Sequence, residues 1–264
     1  MTAFLKRPKA KQQFLANAIK KAGQKTDKNG TTTRFTPDKY PFNVNVTQIL
    51  RQYAFADVTP INVFHYRYII NPNNTCSGLD AVRVYFVVKS TPHNSSKRDI
   101  IHDTCADKNR FPSIRIIFSF GIPNKEEVLL DLQDESAKYH GFSLVNYKDN
   151  HYNLTLKTVS GLKWAVTHCR RAMFVVSVVD DIYVAPDLLL KYLDNLPAWK
   201  AETFFSGHRL TGTMPIRDPP SKWYTPKTEY TFKNYPHYIL GGFVIMSMST
   251  VRNFTTAAMY TKLF

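Results

Sequence analysis

The feature that most constrains the fold of this chain is an apolar run that ends in two acids, within residues 173–190, MFVVSVVDDIYVAPDLLL. The run from Met173 to Val179 is rich in β-branched residues, which predicts a strand covered on both faces, in the centre of an α/β sheet. Asp180 and Asp181 follow at its carboxyl end. Ligands of such sheets bind at the carboxyl ends of strands, and paired carboxylates there can hold a metal ion.

The acidic pair has a second interpretation. A helix is predicted to begin at Pro186 and Asp187, followed by four leucines at 188, 189, 190 and 193. Acids commonly cap the first turn of a helix, and residue type alone favours this reading. The strand context and the flanking motifs described below favour the metal.

Alternating strand and helix patterns continue through the middle of the chain. The predicted strands are Val82–Lys89, Ser113–Phe120, Ser143–Tyr147 and Met173–Val179, and the predicted helices are Lys97–Cys105, Lys125–Tyr139, Leu154–Arg170 and the one at Pro186. This alternation predicts an α/β fold with a mostly parallel central sheet flanked by helices. Neither GxGxxG nor GxxxxGK[ST] occurs. A nucleotide bound here would therefore depend on a metal.

The first 80 residues differ from the rest of the chain in composition and in hydrophobic pattern. In residues 1–28, eight Lys or Arg side chains accompany one acid, Asp27. Residues 1–30 could form a Lys-rich helix through Phe14, Leu15, Ile19 and Ala22 that ends near Gly23. A mitochondrial presequence is a minor alternative. Residues 31–80 are rich in Asn, Pro, Tyr and Thr without a sustained period, apart from extended pieces such as Val63–Ile70. We predict a basic, poorly ordered N-terminal arm and stem over 1–80 and an α/β domain over 81–264.

The formal net charge of +15 would suit a nucleic acid or another anionic surface. Much of that excess lies in the basic arm and no nucleic-acid motif accompanies it, so a solvated arm is the simpler account and no nucleic-acid partner is expected. The longest apolar stretch, Tyr238–Met248, is too short to span a bilayer. The first residues show no signal peptide or signal anchor.

Cysteines and glycosylation sequons bear on the compartment. The three cysteines, Cys76, Cys105 and Cys169, are equally consistent with one disulfide plus a free thiol and with three buried thiols. Six Asn-x-Ser/Thr triplets occur, at Asn29, Asn45, Asn73, Asn94, Asn153 and Asn253. Asn45, Asn73, Asn94 and Asn153 are the glycosylation candidates, and the number of triplets favours the lumen of the secretory pathway.

Six segments form a series with a known counterpart. In chain order they are Lys89-Ser90 with Arg98–Cys105, Phe118–Gly121, Tyr152–Thr158, Val179–Val184, Lys222-Trp223-Tyr224 and Tyr235–Gly242. They resemble R-x-x-I-R-x-T-W, F-x-x-G, Y-x-N-L-T-x-K-T, D-D-D-x-F/Y-V, K-W-Y and Y-P-x-Y-x-x-G-G of the β-1,3-galactosyltransferase family, glycosyltransferase family 31. The resemblance covers about two thirds of the chain, from Val82 onward.

The resemblance implies a GT-A-like fold and a hexosyltransferase of the Golgi membrane, although this sequence shows no anchor. Such an enzyme transfers galactose or an N-acetylhexosamine from a UDP-sugar donor to the glycan of a glycoprotein or glycolipid in β-1,3 linkage. The implied cofactor is Mn²⁺. Asp181 is the expected metal ligand, and Asp180 is expected to be oriented towards donor or metal.

Other matched residues are candidates for the two substrates. Arg98 and Lys157 could offset phosphate charge, and they are equally consistent with ordinary solvated or ion-paired bases. Trp223 and Tyr238 could stack on a sugar ring, with core packing as the alternative. Gly241 and Gly242 suit a close backbone approach to a ligand or to a neighbouring strand.

Three residues depart from the family pattern: His102 and Cys105 replace Arg and Trp, and Val179 replaces the first acid of the triplet. His102 is interpreted as a satisfied surface histidine. Residues 243–264 contain no Asp or Glu, whereas the family has an E/D-D-V-x-x-G segment after the Gly pair that supplies the general base. We therefore expect the base beyond Phe264, and a catalytically inactive UDP-sugar- or glycan-binding protein is the alternative function.

Overall fold

The computed structural model describes residues 50, 59–64, 66–77 and 82–261. The chain divides into two compact units, residues 1–58 and 59–264. The predicted Lys-rich arm falls outside the described residues. Residues 59–77, which the sequence analysis grouped with the stem, lie in the second unit and give it one strand.

Seven strands form one sheet in the order β1-β4-β3-β2-β5-β7-β6. They are β1 (Tyr68–Ile70), β2 (Val84–Lys89), β3 (Ile114–Ile122), β4 (Phe142–Lys148), β5 (Phe174–Val179), β6 (Phe205–Leu210) and β7 (Tyr238–Ser247). Strands β4, β3, β2 and β5 are parallel neighbours, whereas the β1–β4, β5–β7 and β6–β7 pairs are antiparallel. Only β1 and β7 therefore run against the other strands, which confirms the predicted α/β fold with a mostly parallel sheet.

The helices cover both faces of the sheet. They are α1 (Ser95–Asp103), α2 (Glu126–Tyr139), α3 (Leu154–His168), α4 (Pro186–Asp194), the short α5 (Ala198–Ala201) and α6 (Met248–Tyr260), with a 3₁₀ turn at His151–Asn153. The helix ends follow the sequence: Pro186 occupies the first turn of α4, and the Ser247 side chain accepts a hydrogen bond from the Thr250 N–H at the start of α6. No helix in the described residues is long and apolar enough to cross a membrane.

The core lies in two layers on opposite faces of the sheet, because successive side chains of a strand point to opposite faces. In β2, Val84, Phe86 and Val88 belong to one layer, and Tyr85 and Val87 to the other. This double coverage explains why the central strands are continuously apolar.

The strand order creates a topological switch beside β2. From β2 the chain passes to β3 on one side, and it later returns as β5 on the other. Connections that leave neighbouring parallel strands in opposite directions open a crevice at their carboxyl ends, where α/β proteins bind ligands. The carboxyl ends of β2 and β5 therefore define the candidate site.

All four strands and four helices predicted between residues 82 and 194 are confirmed, with ends shifted by at most two residues. The strands β6 and β7 and the helices α5 and α6 were not predicted from the sequence. The apolar stretch Tyr238–Met248, considered only as a membrane span, is β7 and lies between β5 and β6.

The structure shows which of the three cysteines form a disulfide. Cys76 and Cys169 form a disulfide across 93 residues, and Cys105 is a buried free thiol. The disulfide links the segment after β1 to the residue that ends α3, so residues on both sides of the predicted domain boundary are joined covalently.

Candidate active site

The site is built on the pairing of β2 with β5. Their parallel register sets Lys89 beside Val179, so Ser90 and Asp180 follow as neighbours at the carboxyl ends. We call Lys89, Ser90, Asp180 and Asp181 the switch edge.

Asp180 is held in one orientation. Its Oδ2 accepts hydrogen bonds from Ser90 Oγ (2.8 Å), the Thr91 N–H (3.2 Å) and Asn94 Nδ2 (2.9 Å). Its side chain is largely buried, and Lys97 Nζ lies 4.0 Å from its Oδ1. Three donors to Oδ2 fix the orientation of the carboxylate and leave Oδ1 as the oxygen without a hydrogen bond among the described residues.

Asp181 is exposed, and no ion pair or hydrogen bond of its side chain occurs among the described residues. Neither acid caps helix α4, because the N-cap residue of that helix is Ala185, which is extended and makes no side-chain cap bond. The capping interpretation of the acidic pair is therefore wrong.

Arg98, on α1, is buried and uses all five of its N–H donors within the protein. Nε and one Nη donate to the two oxygens of Glu135 at 2.8 and 2.6 Å. The remaining bonds go to Ser90 Oγ and to the Thr91 and Pro92 carbonyls. Arg98 therefore positions the loop after β2, and its direct contact with phosphate stays a prediction that this geometry does not support.

Lys157, on α3, is also an ion-paired buried base. Its Nζ lies 2.8 Å from Asp149 Oδ2 and donates to the Ser90 carbonyl at 2.7 Å. Asp149 in turn accepts from the Gly121 N–H at 2.8 Å. This set of bonds ties the ends of β3 and α3 to the switch edge, and a phosphate contact of Lys157 is untested.

Ser90 joins the three charged residues predicted for the site. Its hydroxyl donates to Asp180 and accepts from Arg98, and its carbonyl accepts from Lys157. The sequence analysis gave Ser90 no role of its own. A polar pair, Lys89-Ser90, directly after five apolar residues at a strand end was the available signal.

Lys89 is the second residue that the sequence analysis overlooked. It is buried, and its Nζ donates to the Gly241 carbonyl, with no carboxylate partner in the described residues. Burial, and then the charge of Lys157, lowers the pKa of Lys89 to about 8. The switch edge thus contains an acid and a base, Asp181 and Lys89, that have no oppositely charged partner within the described part of the chain, whereas Arg98 and Lys157 are both paired.

The start of β7 reaches the switch edge, as the predicted role of the Gly pair requires. Gly241 accepts the Lys89 hydrogen bond, and a Cβ added to Gly242 would lie 3.2 Å from Ile182 Cδ1, directly after the acidic pair. Tyr238 is partly exposed at the first position of β7, with its ring 6.1 Å from that of Tyr235.

Trp223 lies in the connection between β6 and β7, and its ring is exposed with Lys222 Nζ 4.3 Å from the ring centroid. Arg217 shapes this connection by donating to the carbonyls of Thr225, Tyr230 and Phe232. No hydrogen bond or ring contact in the described part of the chain links Trp223 to the switch edge. Its role in sugar binding stays a prediction.

His102 does not match its interpretation as a satisfied surface histidine. Its ring is partly buried and stacks on Tyr139 with centroids 3.9 Å apart, and its Nε2 has no partner among the described residues. Burial lowers the pKa of His102 to about 4, so the ring is neutral at physiological pH.

The sequons differ in their surroundings. Asn73 is exposed in the turn after β1, whereas Asn94 and Asn153 are partly buried and donate to Asp180 Oδ2 (2.9 Å) and the Lys148 carbonyl (2.8 Å). Asn45 lies outside the described residues.

The carboxylates of the switch edge are hard oxygen donors of the kind that Mg²⁺ and Mn²⁺ prefer. In the described residues, no three His, Cys, Asp or Glu side chains cluster as a metal site. A cation that takes one or two carboxylates and completes its shell with phosphate oxygens fits Asp180 and Asp181.

Comparison with known proteins identifies the class. A model of the galactosyltransferase family matches residues 96–264, and the chain belongs to this family. It is 30% identical over 237 residues to beta-1,3-galactosyltransferase 1 of Mus musculus and of Homo sapiens, an alignment that covers 88% of this chain and 71% of each relative.

A second relative is lactosylceramide 1,3-N-acetyl-beta-D-glucosaminyltransferase of Homo sapiens, which is 33% identical over 190 residues, or 69% of this chain and 50% of the relative. The resemblance inferred from the motifs is therefore confirmed. Glycosyl transfer of the hexosyltransferase type is the chemistry to which the chain is related.

Proposed function

We propose that this chain transfers galactose or an N-acetylhexosamine from a UDP-sugar to a glycan in β-1,3 linkage. Three observations support the proposal: the names of its relatives, which specify 1,3-transfer of galactose and of N-acetylglucosamine, the position of the switch edge at the topological switch, and the charges at that edge. The observation that carries it is the presence of two oppositely charged side chains, Asp181 and Lys89, neither of which has an ion-pair partner among the described residues.

The chemistry follows from the leaving group. Transfer breaks the bond between sugar C1 and a diphosphate oxygen, so negative charge develops on UDP. The Asp181 carboxylate and Asp180 Oδ1 would hold Mn²⁺, which when bound would neutralise that charge. Lys89 contributes positive charge from the chain itself, and the three hydrogen bonds to Oδ2 of Asp180 leave Oδ1 as the oxygen offered to the cation.

The acceptor side of the site is assigned to β7 and the connection before it. Tyr238 and Trp223 offer aromatic faces on which a sugar ring can stack, and Gly241 and Gly242 leave room for its approach. We propose a glycan of a glycoprotein or glycolipid as the acceptor.

Calorimetric titration with UDP, with and without Mn²⁺, tests the donor site. We expect metal-dependent binding by the wild-type chain and none by Asp181→Ala. Asp187→Ala is the matched control, because Asp187 is an exposed acid in α4 that pairs with Arg110 away from the switch edge. Unchanged binding by Asp181→Ala would refute the assignment of the metal site.

A second candidate function is binding of a UDP-sugar or glycan without turnover. Val179 favours it, since it stands where the family motif has its first acid. Release of UDP from UDP-galactose or UDP-N-acetylglucosamine in the presence of Mn²⁺ separates the two functions. Binding without release would establish the non-catalytic one.

We further propose that the protein works at the Golgi membrane with this domain in the lumen. The Cys76–Cys169 disulfide supports an oxidising compartment. Colocalisation of the tagged protein with a Golgi marker, and protection of the tag from protease in intact vesicles, would test this assignment.

A further inference from the structure

Asn94 combines two features that compete for the same nitrogen atom. It begins the sequon Asn94-Ser95-Ser96, so its Nδ2 is a potential attachment point for a glycan. The same Nδ2 donates to Asp180 Oδ2 at 2.9 Å.

The backbone position of Asn94 makes this hydrogen bond informative. Asn94 is the N-cap residue of α1, and Asn at such a position ordinarily accepts a hydrogen bond from a free N–H of the first turn. Asn94 makes no cap bond with its side chain. Its amide group is turned to the carboxylate of Asp180 instead, so the local stability of the helix end does not explain the orientation.

The bond also decides which oxygen of Asp180 remains open. Asn94, Ser90 and the Thr91 N–H all donate to Oδ2, whereas the one charged neighbour of Oδ1 in the described residues is Lys97 Nζ at 4.0 Å. Ser90 and Thr91 approach from the end of β2, and Asn94 from the start of α1. Loss of Asn94 would leave the carboxylate held from one side, free to rotate away from its ligand.

We propose that Asn94 is a positioning residue of the donor site, and that its sequon is unoccupied in every donor-binding molecule. A glycan on Nδ2 would remove one of its two N–H donors and place a sugar at a partly buried nitrogen 2.9 Å from Asp180. The exposed sequon at Asn73 has no such restriction. This inference rests on the proposed function, since it concerns the same donor site.

Two variants distinguish the effect of losing the Asn94 side-chain amide from the effect of losing the glycosylation sequon. Asn94→Ala removes both, whereas Ser96→Ala removes only the sequon and changes an exposed helix residue to a better helix former. We expect Asn94→Ala to weaken Mn²⁺-dependent UDP binding by roughly 10–100-fold, the usual effect of losing a residue that orients a metal ligand. Ser96→Ala should bind UDP as the wild type does, and both should keep the wild-type circular dichroism spectrum.

Glycopeptide mass spectrometry supplies a readout independent of affinity. The chain is produced in a secretory host and separated on UDP-agarose with Mn²⁺. We expect the retained fraction to contain only unmodified Asn94, with or without a glycan on Asn73. A glycan on Asn94 in the retained protein would overturn the proposal.

The outcomes also separate this inference from the proposed function. Tight UDP binding by both the wild type and Asn94→Ala would overturn the positioning role alone. An equal loss of UDP affinity in Asn94→Ala and Ser96→Ala would mean that the glycan, and not the Asn94 amide, causes the effect. That result would also overturn the positioning role. Failure of the wild type to bind UDP would overturn the proposed function together with the inference that depends on it.

Discussion

At the scale of single residues, the buried charges around the end of β2 divide by how they are compensated. Arg98 pairs with Glu135 and Lys157 with Asp149, while the partner of Lys89 among the described residues is a carbonyl oxygen. A buried ammonium group without a carboxylate is costly to keep charged, which is why its pKa is low. Such a group is a candidate for binding an anion that arrives with a ligand.

Lys89 makes the pH dependence of donor binding predictable. Its pKa is lowered to about 8, so it is charged below pH 8 and becomes neutral as the pH rises through that value. We expect Mn²⁺-dependent UDP affinity to fall between pH 7 and 9. Lys89→Met should bind roughly tenfold more weakly at pH 7, as expected for one lost charge-assisted hydrogen bond, and should show a flatter profile.

Titration calorimetry over that pH range measures both effects. Lys191→Met is the matched control, because Lys191 is exposed on α4 and should leave the affinity and its pH profile unchanged. A Lys89→Met variant with the wild-type profile would show that another group causes the pH dependence.

Arg98 is expected to act on stability. Its side chain is 1% exposed and doubly bonded to Glu135, so Arg98→Ala leaves a buried carboxylate and three loop acceptors without their donor. The expected loss is about 3–5 kcal/mol in the free energy of unfolding. Denaturant titration measures it.

The pair Arg110–Asp187 provides the comparison for Arg98. Both side chains are 64% exposed, and exposed ion pairs contribute about 0–1 kcal/mol. Arg110→Ala should therefore leave the unfolding midpoint nearly unchanged. Equal losses in the two variants would contradict the role assigned to the buried pair.

At the scale of elements, the position of α3 on the sheet depends on a close contact between its backbone and β2. A Cβ added to Gly161 of α3 would lie 2.3 Å from Val87 Cγ1 of β2, so the helix backbone rests directly on that side chain. Trp164, one turn later, stacks on Tyr85 with centroids 5.5 Å apart. These contacts hold α3 against β2, and with it Lys157 beside the switch edge.

Gly161→Ala is expected to destabilise the protein although alanine favours helices by about 1 kcal/mol. The added methyl group overlaps a β-branched side chain that cannot rotate away, and overpacking of this kind costs about 1–3 kcal/mol. Thermal unfolding of Gly161→Ala, Val87→Ala and the double variant measures the effect.

The double variant should be more stable than the sum of the single losses predicts, since Val87→Ala creates the space that Gly161→Ala fills. Gly241→Ala is a control without overlap, because no heavy atom of the described residues, apart from those of Gly241 and its chain neighbours, lies within 4 Å of its Cβ position. Additive losses would refute the steric explanation.

At the scale of the whole molecule, the Cys76–Cys169 disulfide closes a loop of 93 residues around β2, β3, β4 and α3. Cross-links that close long loops reduce the entropy of the unfolded chain. The disulfide therefore stabilises the attachment of the segment that carries β1 to the rest of the unit.

We expect Cys76→Ser/Cys169→Ser to lose about 2–4 kcal/mol of stability. Thermal unfolding is measured with and without a reducing agent. The reducing agent should lower the unfolding midpoint of the wild type and leave the midpoint of the double variant unchanged. Cys105→Ser should still respond to the reducing agent, because Cys105 is a free thiol. A wild-type midpoint that is insensitive to reduction would contradict the stabilising role.

The sequence by itself determined the succession of strands and helices from residue 82 to 194, and the position of Asp180 and Asp181 at a strand end. Those features depend on local apolar periodicity and on neighbours within a few residues, and the ordered motifs also revealed the family.

Only the tertiary structure decided which charges are paired and which strands are neighbours. The bond from Lys157 to Ser90 spans 67 residues, the bond from Asn94 to Asp180 spans 86, and the bond from Lys89 to Gly241 spans 152. Whether a lysine is a solvated base, an ion pair or an unpaired cation depends on such distant partners. The insertion of β7 between β5 and β6 has the same origin, because strand pairing depends on hydrogen bonds between segments far apart in sequence.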